Sequence, residues 1–455
     1  MQQTNRKKGG TTRWSNRFAY ILAATGAAVG LGNIWKFPYI TGENGGGAFV
    51  LVYLICILLI GIPVMMAEVA IGKYGRRTPG KSTSEVAKAS GKPAFWGFVG
   101  WMGVISGYLI LSFYVVITGW GLAYIFKAGA GDFGNGDPAA VQALFKGLTS
   151  NGWALLGWTS LVVIGTVLVI GKGVKAGLER AVSTLMPILF LLLLVLAGYA
   201  ASEGDFAAAL HFMFDPDFSK LTINGVVVAL GHSFFTLSLA SGIMIMYGAY
   251  LPEGVSIAKS SLWIAFFDTL VALIAGMAIY PIVFAHHLAP GAGPGLIFQT
   301  LPIAFGQMPG GRLVGVLFFI MLVFAAFTSA LALIESSVAW LVEKRGFSRW
   351  GAAITAGLGI WLLSLGTIAS VAELPIAQFA GTDFFSALDY LTANILLPIG
   401  GLAIAVFTGW VANKSLIADM IDAPAVFKSW YPVIKFLAPV AILLVFLQLV
   451  GIINL

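Results

Sequence analysis

The chain has 455 residues, 59% of them hydrophobic and only 10% charged, with a formal net charge of +7. No soluble domain of this size could hide so much apolar surface, and recurrent apolar runs of 20 or more residues read as membrane helices. The single cysteine, Cys56, excludes an intrachain disulfide, and His211, His232, His286 and His287 are not spaced as metal ligands.

Eleven spans are predicted, at 18–40, 46–72, 94–127, 153–171, 180–201, 220–250, 257–285, 312–342, 351–370, 386–412 and 433–454. A polar tail, 1–12, precedes the first of them. With that tail on the cytoplasmic side, 21 of the 26 basic residues fall on the cytoplasmic side of the spans. The positive-inside rule therefore orients the chain with its N-terminus in the cytoplasm. The basic balance is a topology signal and gives no reason to expect nucleic acid as a partner; the lipid bilayer is the partner it implies.

The first span would reach ~34 Å if fully helical, against a hydrocarbon core of ~30 Å. Its middle carries Gly26, Gly30 and Gly32, which weaken a helix, and then Asn33, which lipid would reject. Two readings fit. The glycines allow close helix packing; alternatively the helix breaks, freeing carbonyls for a small cation and amides for a carboxylate. Between the seventh and eighth spans, Pro/Gly clusters over 289–311 enclose an apolar piece too short to cross. This is read as a hairpin-like outer lid, with a loop resting on the membrane surface as the alternative.

The sixth span is interrupted as well. Ser233, Thr236, Ser238 and Ser241 surround its midpoint, and Gly231 and Gly242 flank them. Serines can bond back to preceding carbonyls of an intact helix. Position favours a break: the first and sixth spans are an odd interval apart and cross in opposite directions. Two corresponding broken helices in opposed halves point to an inverted-repeat secondary transporter with a site at mid-membrane.

The segments Ala28-Val-Gly-Leu-Gly-Asn-Ile-Trp, Phe37-Pro, Glu43-Asn-Gly-Gly-Gly-Ala-Phe, Gly61-Ile-Pro, Phe234-Phe-Thr-Leu-Ser and Thr328-Ser occur in order along nearly the whole chain. In these the sequence resembles a bacterial member of the neurotransmitter:sodium symporter family, with the leucine-transporter fold, and is similar to its tryptophan and hydrophobic amino-acid transporters. The resemblance implies an all-α polytopic membrane protein of about 11 transmembrane helices, a 5+5 inverted repeat with helices 1 and 6 interrupted. The expected units are a tail 1–12, a first five-helix repeat 13–205, a second 206–412, and a linker with the eleventh helix at 413–455. Expected activity is sodium-coupled import of neutral hydrophobic or aromatic amino acids across the bacterial inner membrane.

Two sodium ions are implied by the resemblance. One would be held by Ala28, Asn33, Thr236 and Asp268 with the substrate carboxylate, the other by Gly26, Val29, Ala325, Thr328 and Ser329. Leu31, Gly32 and Tyr114 would take the carboxylate, while Ala28, Phe235, Thr236 and Ser238 would take the amine. Ile110, Phe235, Ala240, Ser241, Ser329 and Leu333 would surround the side chain. Gly30 stands where monoamine-carrying relatives have an aspartate, which favours an α-amino acid. Tyr53, His232, Thr236, Asp268 and Ala272 occupy the positions that match the family's chloride ligands. Asp268 would supply the negative charge in place of the anion, so no chloride is expected; a simple Asp268–His232 pair is the alternative. Lys36 and Asp389 would close the outer mouth, and Arg13, Trp14, Tyr250 and Glu343 the inner one. Glu68 would accept bonds from sixth-span amides, and the stretch between Gly177 and Pro187 would unwind. Oligomeric state is not legible. A membrane-embedded hydrolase lacks a nucleophile–base array in this sequence; a non-transporting amino-acid sensor of the same fold is the remaining alternative.

Overall fold

The computed structural model describes residues 13–290, 295–379, 381–421 and 423–453; the polar tail and part of the expected lid lie outside the described residues. The chain is helical almost throughout, because in lipid a helix satisfies its own backbone polar groups. Helices α1 (Arg17–Ala28) and α2 (Gly32–Glu43) form one span bent by 49° at its middle. Then follow α3 (Gly47–Gly75), α4 (Pro79–Ala89), α5 (Ala94–Ala130), α6 (Pro138–Thr149), α7 (Gly152–Gly171), α8 (Val174–Glu203) and α9 (Phe206–Phe214). The second half opens on α10 (Ile223–Thr236) and α11 (Ile243–Ala249), and continues with α12 (Ile257–Ala285) and α13 (Leu301–Gln307). It ends with α14 (Gly311–Arg345), α15 (Arg349–Val371), α16 (Phe384–Val411), α17 (Lys414–Ile421) and α18 (Pro424–Leu449).

Among the described residues, nine helices are long and apolar enough to cross a membrane, and the bent pair is a tenth passage. The eleventh is α10 resumed by α11 after six non-helical residues, so neither piece reaches spanning length alone. The predicted eleven spans thus correspond to nine continuous helices and two broken ones. Strand pairing among the described residues is limited to β1 (Gln378–Phe379), antiparallel to β2 (Thr382–Asp383), and an isolated bridge between Gly46 and Pro216.

The broken spans sit inside the bundle and the intact ones surround them. α5 and α14 pack along each other, α1 lies against α12 and α14, and α11 lies on α3. Glycines make the α3–α11 approach possible: a Cβ at Gly72 would stand 1.9 Å from the Ile245 carbonyl oxygen, and one at Gly248 2.6 Å from that of Val69. Leu191, Leu194, Ile354, Leu358 and Leu362, exposed on α8 and α15, are lipid-facing in such a bundle. The Gly177–Pro187 stretch is helical, entered by a π-helical turn over Val174–Glu179, with Pro187 inside α8. α13 and the π-helical turn before it (Leu296–Thr300) pack Phe298 against Trp35, Trp120, Tyr124 and Phe319.

Candidate functional site

The first break is set by Val29, whose ψ of 110° leaves the helical region. The freed Leu31 N–H donates to the Tyr114 hydroxyl of α5 (3.0 Å), and the Gly30 N–H to Asn33 Oδ1 (3.0 Å). Gly30 permits a close approach, since a Cβ there would meet Tyr114 Oη at 2.5 Å and Ser329 Oγ at 2.6 Å.

The second break is more strained. Ser238 (φ 53°), Ala240 (φ 56°) and Gly242 (φ 76°) are all left-handed, and the two non-glycine residues cost about 1–3 kcal/mol each. Neighbours hold them there. Fully buried Glu68 on α3 accepts the Ala240 N–H at 2.7 Å, as expected for an acid facing an unwound helix. Ser238 Oγ donates to the Ala27 carbonyl (2.9 Å), which ties the two breaks together. α5 presses its backbone against this break at Gly103 and Gly107, where a Cβ would lie 2.7 Å from Gly242 N and 2.6 Å from the Ser241 carbonyl oxygen.

Two oxygen-rich clusters flank the breaks. In the first, Asn33 Nδ2 donates to Thr236 Oγ1 (3.0 Å), Asp268 Oδ1 (2.8 Å) and the Asp268 carbonyl (2.9 Å), while Thr236 Oγ1 donates to Asp268 Oδ2 (3.0 Å). All three residues are fully buried. The donor set is hard oxygen, suited to a small cation, but Asn33 Oδ1 faces the Gly30 amide. To ligate a cation in this cluster, the Asn33 amide must turn over. In the second, Ser329 Oγ bonds the carbonyls of Val29 (3.2 Å) and Ala325 (3.3 Å), and Thr328 Oγ1 that of Ala325 (3.0 Å). Gly26 lies in the last turn of α1 before the break, where a Cβ would meet Val182 of α8 at 3.0 Å and Met186 at 3.1 Å.

Between the clusters lies a cavity of about 30 Å³, room for about one water molecule. Ala28, Gly32, Ile110, Tyr114, Phe235, Ser238, Ser241, Ser329 and Leu333 line it, all nominated from the sequence. Leu31 contributes its amide to Tyr114 instead, and Thr236 belongs to the first cluster. Ala240 is not among the lining residues; its side chain lies against Gly400 of α16. The wall also includes Ala27, Phe234 and Leu239 around the breaks, and Leu397 from α16. No local signal marks Leu397, a leucine in an apolar helix.

The closures differ from expectation. Lys36 does not pair with Asp389: its Nζ lies 4.7 Å from the centre of the Phe235 ring, and among the described residues no carboxylate is within ion-pair distance of it. A lysine is a point charge that an aromatic face can hold. On the other side, the backbone N–H of Trp14 donates to the Tyr250 carbonyl (3.1 Å), and its ring sits edge-on to Tyr247 and Tyr250. Arg13 and Glu343 are not partners. Arg13 pairs with Glu253 (2.7 Å), whose carboxyl it holds below the usual range, and Glu343 takes Arg77 (3.1 Å), Lys81 (3.4 Å) and the Thr78 N–H.

Sequence reasoning missed the buried charge pair on this side. Glu335, with 0% of its side chain exposed, accepts both guanidinium nitrogens of Arg349 and the Tyr250 hydroxyl (2.8 Å). Arg349 also donates from Nε to the Ile170 carbonyl (2.9 Å), so the pair joins α7, α14, α15 and the end of α11. The available signal was an acid in the apolar run of α14, since a buried carboxylate needs a cation.

The profile of the Sodium:neurotransmitter symporter family matches residues 11–133 and 139–454. An uncharacterized sodium-dependent transporter of Bacillus subtilis, YhdH, is 36% identical over 97% of this chain and 98% of its own. One of Haemophilus influenzae, also uncharacterized, is 32% identical over 98% and 99%. Among solved structures, MhsT in complex with L-phenylalanine superposes with a TM-score of 0.88 at 41% identity, over 96% of this chain and 99% of that one.

Proposed function

The chain is a member of the sodium:neurotransmitter symporter family, and on that premise we propose that it imports neutral hydrophobic or aromatic amino acids, tryptophan-like ones foremost, by sodium-coupled alternating access. The observation that carries this reading is the chemistry of the lining of the cavity between the breaks, which is closed down to about one water's volume and must widen to admit an amino acid. Its polar end offers the Tyr114 hydroxyl beside the Asn33–Thr236–Asp268 cluster, which suits an α-carboxylate shared with a sodium ion. The lining also includes Ile110, Ser241 and Leu333 and no charged residue, which suits an uncharged side chain. L-Phenylalanine bound to MhsT is a ligand of this class.

Two sodium ions are assigned to the two clusters. Asp268 supplies a fixed negative charge beside the first, where a second anion would be strongly repelled, so transport is independent of chloride. Lys36 over Phe235 forms the outer closure. Trp14, Tyr247 and Tyr250, pinned through Glu335–Arg349, form the inner one, which faces the cytoplasm of a bacterial inner membrane. The repeats 13–205 and 206–412 rock against each other around the site, and unwinding between Gly177 and Pro187 opens the inner path to the second sodium.

Uptake into proteoliposomes across an amino-acid panel, with and without a sodium gradient and with chloride replaced by gluconate, tests this. Sodium-driven accumulation of aromatic amino acids, unchanged in gluconate, is expected. Sodium-dependent binding without accumulation would favour the sensor; a large drop in gluconate would overturn the charge assignment.

A further inference from the structure

At the far end of α16 and the start of α18 the chain gathers two lysines and four aromatic rings away from the transport cavity. Gly409 lets the two helices touch, since a Cβ there would stand 2.7 Å from the Lys435 Cα. Trp410 Nε1 donates to the Lys435 carbonyl (2.8 Å) and the Tyr431 hydroxyl to the Gly409 carbonyl (3.0 Å), so both rings are fixed by backbone bonds. Above them, Lys435 Nζ lies 4.6 Å from the Trp410 ring centre, 5.5 Å from Phe436 and 5.9 Å from Tyr431. Lys414 Nζ lies 5.0 Å from the same Tyr431 ring, so the two ammonium nitrogens are no farther apart than the sum of their distances to it. Phe427 packs beneath, its ring centre 5.2 Å from that of Tyr431.

We propose that Lys414 and Lys435, with Trp410 and Phe436, bind the phosphate of an anionic phospholipid. Charge complementarity is the first argument. Each ammonium carries three donors, and among the described residues neither has a carboxylate partner or a hydrogen-bond acceptor. The ring faces hold the two cations without neutralising them. Nearby Asp419 is exposed on α17 and pairs with neither.

Depth is the second argument. Trp410 (58% exposed) and Phe436 (54% exposed) lead directly into exposed Leu437, Val440 and Leu444 along α18. A ligand seated here therefore has its negative head at the lysines and its apolar length along the helix. Indole rings and lysine ammoniums mark the headgroup level of a bilayer, and polybasic sites there draw anionic lipids. A soluble anion would use the lysines and leave the apolar strip uncovered. That the lipid belongs to the cytoplasmic leaflet follows from the orientation proposed above; the binding itself does not depend on it.

The test is native mass spectrometry of the detergent-purified full chain, titrated with phosphatidylglycerol or phosphatidylcholine. Wild type should retain phosphatidylglycerol selectively. The double variant Lys414→Gln/Lys435→Gln should bind it about 25-fold more weakly, near fivefold for each charge removed, while Lys414→Arg/Lys435→Arg keeps it. A remote control, Lys172→Gln/Lys344→Gln, should bind as wild type does. Equal affinity in the first double variant, an equal loss in the control, or no preference between the lipids would overturn the site. Displacement of the lipid by millimolar inorganic phosphate would overturn the lipid as its occupant. Because binding is read without transport, none of these outcomes depends on the substrate reading.

Discussion

Gly30 is the most constrained residue of the first break, and Gly30→Ala isolates that constraint. The added Cβ would stand 2.5 Å from the Tyr114 hydroxyl and 2.6 Å from Ser329 Oγ, closer than side-chain carbons approach anything. Neither group can withdraw freely. Tyr114 is held by the Leu31 N–H at 3.0 Å, and Ser329 by the Val29 and Ala325 carbonyls at 3.2 and 3.3 Å. One methyl group therefore displaces the hydroxyl assigned to the substrate carboxylate and the hydroxyl assigned to the second sodium together. Overpacking by a methylene costs about 1–3 kcal/mol, which corresponds to about 5–150-fold in affinity. Equilibrium binding of radiolabelled tryptophan at several sodium concentrations reads both effects. The expected result is weaker substrate binding together with a higher sodium requirement, in protein that still purifies as a monodisperse species. Affinity within twofold of wild type would refute the reasoning, because two hydroxyls in contact with the new carbon would then have no part in binding.

Thr328→Ala with Ser329→Ala removes both hydroxyls from the second cluster, so sodium-dependent uptake in proteoliposomes should collapse; uptake that keeps its sodium dependence would remove the ion from that place. Ser241→Phe adds a ring to the cavity lining and should weaken tryptophan more than leucine, by upwards of the ~1–3 kcal/mol that one methylene of mismatch costs; equal losses in competition binding would take Ser241 out of the side-chain pocket. Arg349→Gln leaves the fully buried Glu335 carboxylate without its cation, a loss of about 3–5 kcal/mol, and should lower the unfolding temperature in detergent more than Glu335→Gln, which leaves a partly exposed guanidinium; the reverse order would mean that the carboxylate is solvated.

The two breaks were legible for different reasons. Around Gly30 the sequence interrupts an apolar run with glycines and an asparagine, a conflict that only a cavity or a packing interface resolves. Around Thr236 the hydroxyls were visible, yet of the three left-handed residues only Gly242 announces itself; Ser238 and Ala240 adopt that conformation because Glu68 and Ala27 hold them in it. Fourteen residues line the cavity, and those missed are apolar residues, Ala27, Phe234 and Leu397 in helices and Leu239 in the second break, whose burial is fixed by packing across the bundle. The ion pairs failed for a third reason. Long charged side chains choose among several partners within reach: the family resemblance set Lys36 with Asp389 at the outer mouth and placed Arg13 and Glu343 at the inner one, whereas Phe235, Glu253 and the α3–α4 turn are what the three-dimensional neighbourhood offers. Nothing local in the sequence links Arg349 to Glu335, which stand on different helices.

Ser329 shows how one break can couple two ligands. Its hydroxyl bonds the Val29 and Ala325 carbonyls, the donors assigned to the second sodium, and its side chain also lines the cavity. A cation that takes those carbonyls must compete with or reorient that hydroxyl, and a substrate that touches it biases its choice in return. The same holds one residue further on, where Gly30 sits between Ser329 and Tyr114 while its amide bonds Asn33 of the first cluster. Coupling between binding sites is reciprocal by thermodynamic necessity, so each ligand that orders residues 29–33 lowers the cost of the next. An unbroken helix would spend these carbonyls and amides on its own hydrogen bonds, leaving sodium and substrate no backbone to share.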